Sequence, residues 1–277
     1  MSTVLLTGAA GRIGAALRTR LPEYGWEVRG FDREPTPGSV VGDITNPADL
    51  DAALDGVAAI VHLAGQPTEA PWPLLREANV EGLVQVFEAA RRAGVRRVVF
   101  ASSNHATGFT PRPAAGELPD DTAPRPDTLY GVTKVFGEAL GRYYADRYGF
   151  EVACLRIGTF AEQPRDRRGL ATWLSPDDAA RLVDAALRAP DLGFAVLWGV
   201  SANTRRWWSL ARGRALGYDA QDDAERFAAE LIDADAGPAD DFVGGPFTTA
   251  HYGIDEVTSR WIKQSDEVEE RWTSGNG

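Results

Sequence analysis

Two periodicities alternate along the first part of the chain. Short apolar runs bounded by Gly or Asp recur at 4–7, 27–31, 58–63, 97–101 and 152–156. Runs of this length without polar alternation mark strands buried on both faces. Between them, 11–21, 47–54, 74–93 and 129–148 carry apolar residues at helical spacing. Strand, helix and strand joined by short turns imply a parallel sheet covered on both sides. Right-handed crossovers then make an α/β, doubly wound (Rossmann) sheet the expected fold.

After Arg156 the pattern loosens. Residues 158–169 read as a loop, and 177–189 as a helix set between Pro176 and Pro190. A further apolar strand follows at 194–198, then a helix at 222–231, and the tail from Asp233 shows no readable period. The expected organisation is a dinucleotide-binding core over 1–157. A small C-terminal substrate-binding lobe and tail, 158–277, interleaves with that core through the strand at 194–198. Residues 106–126 hold five prolines and few apolar positions. Loops of that length inside a compact domain are more often functional than decorative.

Charge narrows the class of partner. The chain has 29 Lys+Arg against 40 Asp+Glu, a net −11 over 277 residues. That balance argues against nucleic acid or an anionic membrane, both of which reward clustered basic residues. The single cysteine, Cys154, excludes an internal disulfide framework and a cysteine-based zinc site, and no metal is expected. No apolar run approaches the length that crosses a bilayer. The opening Ser2-Thr3-Val4-Leu5-Leu6 lacks the charged and apolar regions of a secretory signal, so the cytoplasm is the expected location. Only two of the basic residues, Lys134 and Lys263, are lysine.

The chemistry starts in the first turn. Thr7-Gly8-Ala9-Ala10-Gly11-Arg12-Ile13-Gly14 follows the first strand and opens a helix. Gly8 suits the tight turn, Gly11 lets a pyrophosphate approach backbone N–H groups, and Gly14 permits close helix–strand packing. Arg12 and Ile13 belong to the same expected contact surface. Asp32 ends the second strand, 18 residues after Gly14, where a carboxylate accepts from ribose hydroxyls and repels a 2′-phosphate. That favours NAD over NADP. The adjacent Arg33 either holds a 2′-phosphate or is a solvated loop charge. Asp43, with Ile44 behind it, follows a short third strand and either meets an adenine edge or serves as a turn or capping residue. Leu63-Ala64-Gly65 ends the fourth strand with small residues that let a cofactor pass. Ile157, ending the sixth strand, completes the expected cofactor set. Asn79, mid-helix, is either a buried hydrogen-bonding residue behind the site or a surface position.

Tyr130 and Lys134 stand at i and i+4 on one face of a helix start. A tyrosine is a poor base near neutrality, and a nearby ammonium stabilises its phenolate. The phenol can then exchange a proton with a substrate hydroxyl while hydride moves to a nicotinamide. Ser103, at the carboxyl end of the fifth strand, is placed to hydrogen-bond the same oxygen.

Taken together, the glycine pattern, Asp32, Ser103 and Tyr130/Lys134 resemble the extended short-chain dehydrogenase/reductase superfamily. Ser102-Ser103-Asn104-His105, Arg156-Ile157-Gly158, Thr172-Trp173-Leu174-Ser175, the stretch 198–203 and Trp207-Trp208 resemble, more narrowly, uronate dehydrogenases. The resemblance implies NAD-dependent oxidation of C1 of a cyclic galacturonate or glucuronate to an aldarolactone. It implies Tyr130 as acid/base, Lys134 as its partner and a ribose ligand, and Ser103 as the orienting group. It assigns Asn104 and His105 to the sugar and Arg168 to the uronate carboxylate, a task that suits a planar fork. The family's serine after the fourth strand is Pro67 here, with Gln66 or Thr68 able to supply a polar group. The serine after Arg-Ile-Gly is Thr159. Related readings are a neutral-aldose or sugar-phosphate 1-dehydrogenase, a nucleotide-sugar epimerase or dehydratase, and a non-catalytic NAD-binding protein. Trp173, Trp198, Trp207 and Trp208 either line the substrate side or pack the small lobe. A homo-oligomer is expected, built through the helices at 74–93 and 129–148.

Overall fold

Apolar strands that must hide both faces organise the computed structural model, which describes residues 2–231 and 241–249. Strand β1 (Thr3–Thr7) is followed by helix α1 (Arg12–Arg20), β2 (Glu27–Asp32), β3 (Ser39–Val41), α2 (Pro47–Ala53) and β4 (Val57–His62). Then come α3 (Trp72–Leu75), α4 (Gly82–Ala93), β5 (Arg97–Ser103), α5 (Leu129–Tyr148) and β6 (Glu151–Ile157). The remainder holds β7 (Thr159–Phe160), α6 (Gly169–Thr172), β8 (Trp173–Leu174), α7 (Pro176–Arg188) and β9 (Phe194–Gly199). Seven strands form one parallel sheet in the order β3-β2-β1-β4-β5-β6-β9. The order reverses direction at β1, which places the ligand crevice between the carboxyl ends of β1 and β4.

Successive strand residues feed opposite layers. Val4 and Leu6 join a cluster with Leu17 of α1 and Leu182 and Val183 of α7. Leu5, between them, joins Leu50 of α2 and Leu83, Val86 and Phe87 of α4. Local chemistry sets the helix starts. Thr128 Oγ1 accepts from Gly131 N (3.0 Å) to cap α5, and Ser175 Oγ accepts from Asp178 N (2.9 Å) to cap α7, with Pro176 in its first turn. Gly149, at φ +67°, terminates α5.

The expected helix over 74–93 is a short α-turn, a π-helical stretch over Arg76–Glu81 and then α4. The loop over 158–169 contains β7, which among the described residues pairs only with β8. A two-residue pairing leaves no periodic signal. The helix expected over 222–231 is a 3₁₀ turn, Ala224–Phe227, running into the short helix Ala228–Leu231. Asp223 and not Asp222 caps it, accepting from Glu225 N at 2.9 Å. The four tryptophans pack and do not line the cavity. Trp198 and Trp208 stack at 4.9 Å and 8°, and Trp173 donates to the Ala161 carbonyl at 2.7 Å. Trp207, Trp208, Tyr218 and Val243 share one core with the sheet. Of the tail, only 241–249 lies within the described residues.

Candidate active site

The turn after β1 determines what can approach the sheet edge. Gly8 adopts φ +75° and lies against the backbone of Leu63 and Ala64, so a Cβ there is excluded twice over. A Cβ on Gly14 would overlap the Gly8 carbonyl, which brings α1 down onto the turn. The result is a cavity of about 690 Å³ running along the carboxyl edge. One end is walled by Gly8, Gly11, Arg12, Ile13, Gly14, Asp32, Arg33, Asp43 and Ile44. The middle is walled by Leu63, Ala64, Gly65, Gln66 and Pro67, and the far end by Ser103, Asn104, His105, Tyr130, Lys134 and Ile157. Nearly every sequence-derived cofactor residue is on this wall.

The donor set fits a dinucleotide. The cradle at Gly11 is open apart from the Gly8 carbonyl, at the start of a helix whose N-terminus favours anionic oxygens. Asp32 accepts from Ala10 N (2.9 Å) and Glu34 N (3.1 Å), which fixes its carboxylate at the end of β2. Asp43 accepts from both the N–H and the hydroxyl of Thr45 at 2.8 Å, so it is a turn residue that also faces the cavity.

Asn79 is the exception. It is buried in the π-helical stretch and is absent from the cavity wall. Its Oδ1 accepts from Gln66 N (2.7 Å), and its Nδ2 donates to Gln66 O (3.1 Å) and Thr133 Oγ1 (3.0 Å). It therefore ties the Gly65-Gln66 turn to α5 from behind, a place for the extra residue a π-turn inserts.

Ser103 Oγ accepts from His105 N at 3.2 Å, and Ser103 also hydrogen-bonds the Tyr130 phenol. Burial pushes Tyr130 up to about 12, against the pull of that hydrogen bond. Lys134 Nζ donates to the Ala101 carbonyl (2.8 Å), and burial pulls it down to about 8. Nζ is 5.4 Å from the Tyr130 ring centre, and burial is the largest influence on the phenol.

Two expected substrate contacts are off the cavity wall. Thr159 is exposed, and its hydroxyl pairs with Thr172 Oγ1 at 2.8 Å. Arg168 stands behind the wall, donating to the carbonyls of Phe242 and Val243. It is close to the site all the same, since Asn104 Nδ2 donates to the same Val243 carbonyl at 3.1 Å.

Five residues unmarked by the sequence reading shape this end. Glu69 accepts from Tyr130 N (2.7 Å) at the start of α5, a favourable place for a carboxylate. His62 pairs with Thr7 Oγ1 (2.8 Å), and burial, with Lys134 nearby, drives it down to about 3, so it is neutral. Glu138 accepts from Arg156 through Nε (2.8 Å) and Nη2 (2.7 Å), and from Ser102 Oγ (2.6 Å). It follows Tyr130 and Lys134 at i+8, so a charged position continuing the buried stripe was the available signal. Asp127 pairs with His105, and Phe247 lies over the His105 ring at 3.9 Å.

A parallel sheet with this turn and a Ser–Tyr–Lys cluster beside it defines a nucleotide-dependent dehydrogenase-type site. Residues 4–161 match the model of the NAD dependent epimerase/dehydratase family, and the chain belongs to that family. Its relatives resolve the branch. It is 42% identical over 262 residues to a uronate dehydrogenase of Pseudomonas syringae pv. tomato, covering 89% of this chain and 93% of that one. An NAD-dependent glucose-6-phosphate dehydrogenase of Haloferax volcanii is 41% identical, covering 82% and 96%. A mutant uronate dehydrogenase of Agrobacterium tumefaciens, solved with NAD, superimposes at a TM-score of 0.83 with 38% identity, covering 90% and 97%.

Proposed function

We propose that this chain oxidises C1 of a cyclic hexuronate, galacturonate or glucuronate, to the aldarolactone with NAD. The observation that carries this is the Ser103–Tyr130–Lys134 cluster at the far end of a dinucleotide cavity, in a chain whose relatives include uronate dehydrogenases. NAD, when bound, supplies the hydride acceptor. Gly11, Arg12, Ile13 and Asp32 would hold its pyrophosphate and adenosine ribose. Ser103 and Tyr130 receive the substrate O1, and Tyr130 takes its proton as the phenolate that the neighbouring ammonium favours. Lys134, buried and bonded to one carbonyl, provides a positive charge beneath the phenol. Asn104 holds the sugar, and Arg168 meets the carboxylate when the substrate replaces the Val243 carbonyl that both residues now share.

Purified protein with NAD and either uronate should produce NADH. Tyr130→Phe should cost about 10²–10⁴-fold in kcat and leave NAD affinity unchanged. Turnover of glucose 6-phosphate or L-arabinose without turnover of uronates refutes the substrate. We also propose a homo-oligomer working in the cytoplasm. Leu129, Val132 and Tyr143 of α5 and Leu74 of α3 are exposed apolar side chains on the helices expected to pair. A monomeric mass by light scattering refutes the oligomer. Among the described residues no helix is long and apolar enough to cross a membrane.

A further inference from the structure

We infer that Asp127 is a positioning residue that fixes the His105 imidazole with its proton on Nδ1, so that Nε2 accepts a hydrogen bond from a sugar hydroxyl. This rests on the hexuronate reading above and names the part of the sugar that His105 recognises. His105 Nδ1 lies 2.8 Å from Asp127 Oδ2. The Asp127 side chain is 0% exposed and is absent from the cavity wall, whereas His105 is on that wall. Nδ1 is therefore turned away from the cavity, and Nε2 lies on the other side of the ring. Among the described residues no protein group bonds Nε2.

The carboxylate cannot swing away. Cβ atoms built on Gly108 and Gly244 would overlap Asp127 Oδ2, so both backbones close over it. Its second oxygen accepts from Thr128 Oγ1 at 3.0 Å. The imidazole is confined as well, with Phe247 over it at 3.9 Å and Tyr130 edge-on at 5.9 Å. A carboxylate accepts and does not donate, so it selects the Nδ1–H tautomer. In that tautomer the ring offers only an acceptor at Nε2. A uronate carboxylate has no proton to give it, but a ring hydroxyl does. Because His105 adjoins Tyr130, that hydroxyl is one beside the reacting carbon. His105 reads a hydroxyl, and carboxylate recognition falls to other groups.

The test has a spectroscopic arm and a kinetic arm. Nitrogen-15 spectra of the full chain at neutral pH report which imidazole nitrogen carries the proton, with the His105 signals assigned by their loss in His105→Gln. The expected result is Nδ1 protonated and Nε2 bare; a proton on Nε2 overturns the proposal. Asp127→Asn keeps the side-chain shape and presents an amide to Nδ1. It should move the proton to Nε2 and raise KM for uronate roughly 10–100-fold, the range found when a metal-binding histidine loses its orienting partner. The kcat should change less, and NAD affinity should be unchanged. A KM within twofold of the unsubstituted value, with NAD affinity intact, overturns the proposal. If the variant does not fold, the spectrum of the unsubstituted protein decides. If the unsubstituted protein does not oxidise uronates, the functional reading fails, and the same spectrum still decides the role of Asp127.

Discussion

Replacing Lys134 by methionine should stabilise the cofactor-free protein and abolish its activity. Burial lowers the ammonium from 10.5 to about 8, which at 1.36 kcal/mol per pKa unit is a penalty of about 3 kcal/mol on the folded state at pH 7. Methionine fills the same apolar volume without a charge. It forfeits the bond to the Ala101 carbonyl, which returns about 1–2 kcal/mol. The net expectation is a gain of about 1–2 kcal/mol, or roughly 2–4 °C in Tm for a chain of this size. The pH dependence carries the sharper signature. Between 8 and 10.5 the unfolded chain still holds the proton that the folded chain has released, so the unsubstituted protein gains stability as pH rises through that window. The variant lacks the group, and its advantage shrinks above pH 8 and is lost by about 10.5. Lys134→Arg is the control: it keeps the charge, brings extra buried donors, and should be less stable than both. Urea unfolding at a series of pH values measures all three, and tyrosine titration near pH 10 affects them alike. A methionine variant less stable at pH 7, or an advantage flat across pH, refutes the reasoning.

Glu138→Gln leaves Arg156 buried without its countercharge and should cost about 3–5 kcal/mol in chemical denaturation; a cost below about 1 kcal/mol would mean the pair is solvent-screened. Asp32→Ala removes the carboxylate that repels a 2′-phosphate and should raise the NADP-to-NAD ratio of kcat/KM about tenfold or more; an unchanged ratio assigns the discrimination elsewhere. Asn79→Ala unpairs both backbone groups of Gln66 and should cost about 2–4 kcal/mol while raising KM for NAD, since that turn is cavity wall; a normal KM in a destabilised variant would separate the turn from cofactor binding.

The sheet was legible because most of its strands are apolar runs that a covered parallel sheet hides on both faces; β3, with Val40 and Val41 exposed, is the exception. The cofactor end was legible for a related reason. Gly8, Gly14 and Asp32 act where the backbone is, immediately after strands whose positions the periodicity reveals. The substrate end was less legible because it depends on meetings between distant segments. Asn104 and Arg168 share a carbonyl with Val243, 139 and 75 residues away along the chain. No local pattern encodes such a meeting. Asp127 escaped notice for a different cause. In a Pro-rich loop an aspartate reads as an ordinary turn residue, and its role appears only once Gly108 and Gly244 are seen closing over it. The π-helical stretch around Asn79 was hidden because its apolar positions keep nearly helical spacing, and only the hydrogen bonds distinguish it.

The scarcity of lysine acquires a physical reason at Lys134. At Arg156 and Arg97 the guanidinium fork is surrounded with acceptors. Arg156 finds both oxygens of Glu138 and the Thr122 carbonyl. Arg97 finds the carbonyls of Ala186 and Ala189 and the Glu151 carboxylate. Among the described residues the head of Lys134 has one protein acceptor, the Ala101 carbonyl. A guanidinium there would carry several donors into a buried space with a single partner, at about 1–3 kcal/mol for each left unpaired. An ammonium leaves fewer donors idle, and those are the ones free to meet a ribose in the neighbouring cavity. Among cations, the position is thus restricted to lysine by a count of acceptors. Apart from Lys263, the other Lys/Arg charges of the chain are arginines, whose guanidinium stays charged near neutrality. The global −11 plays no part in this selection; the site chooses its cation by how many oxygens it can offer.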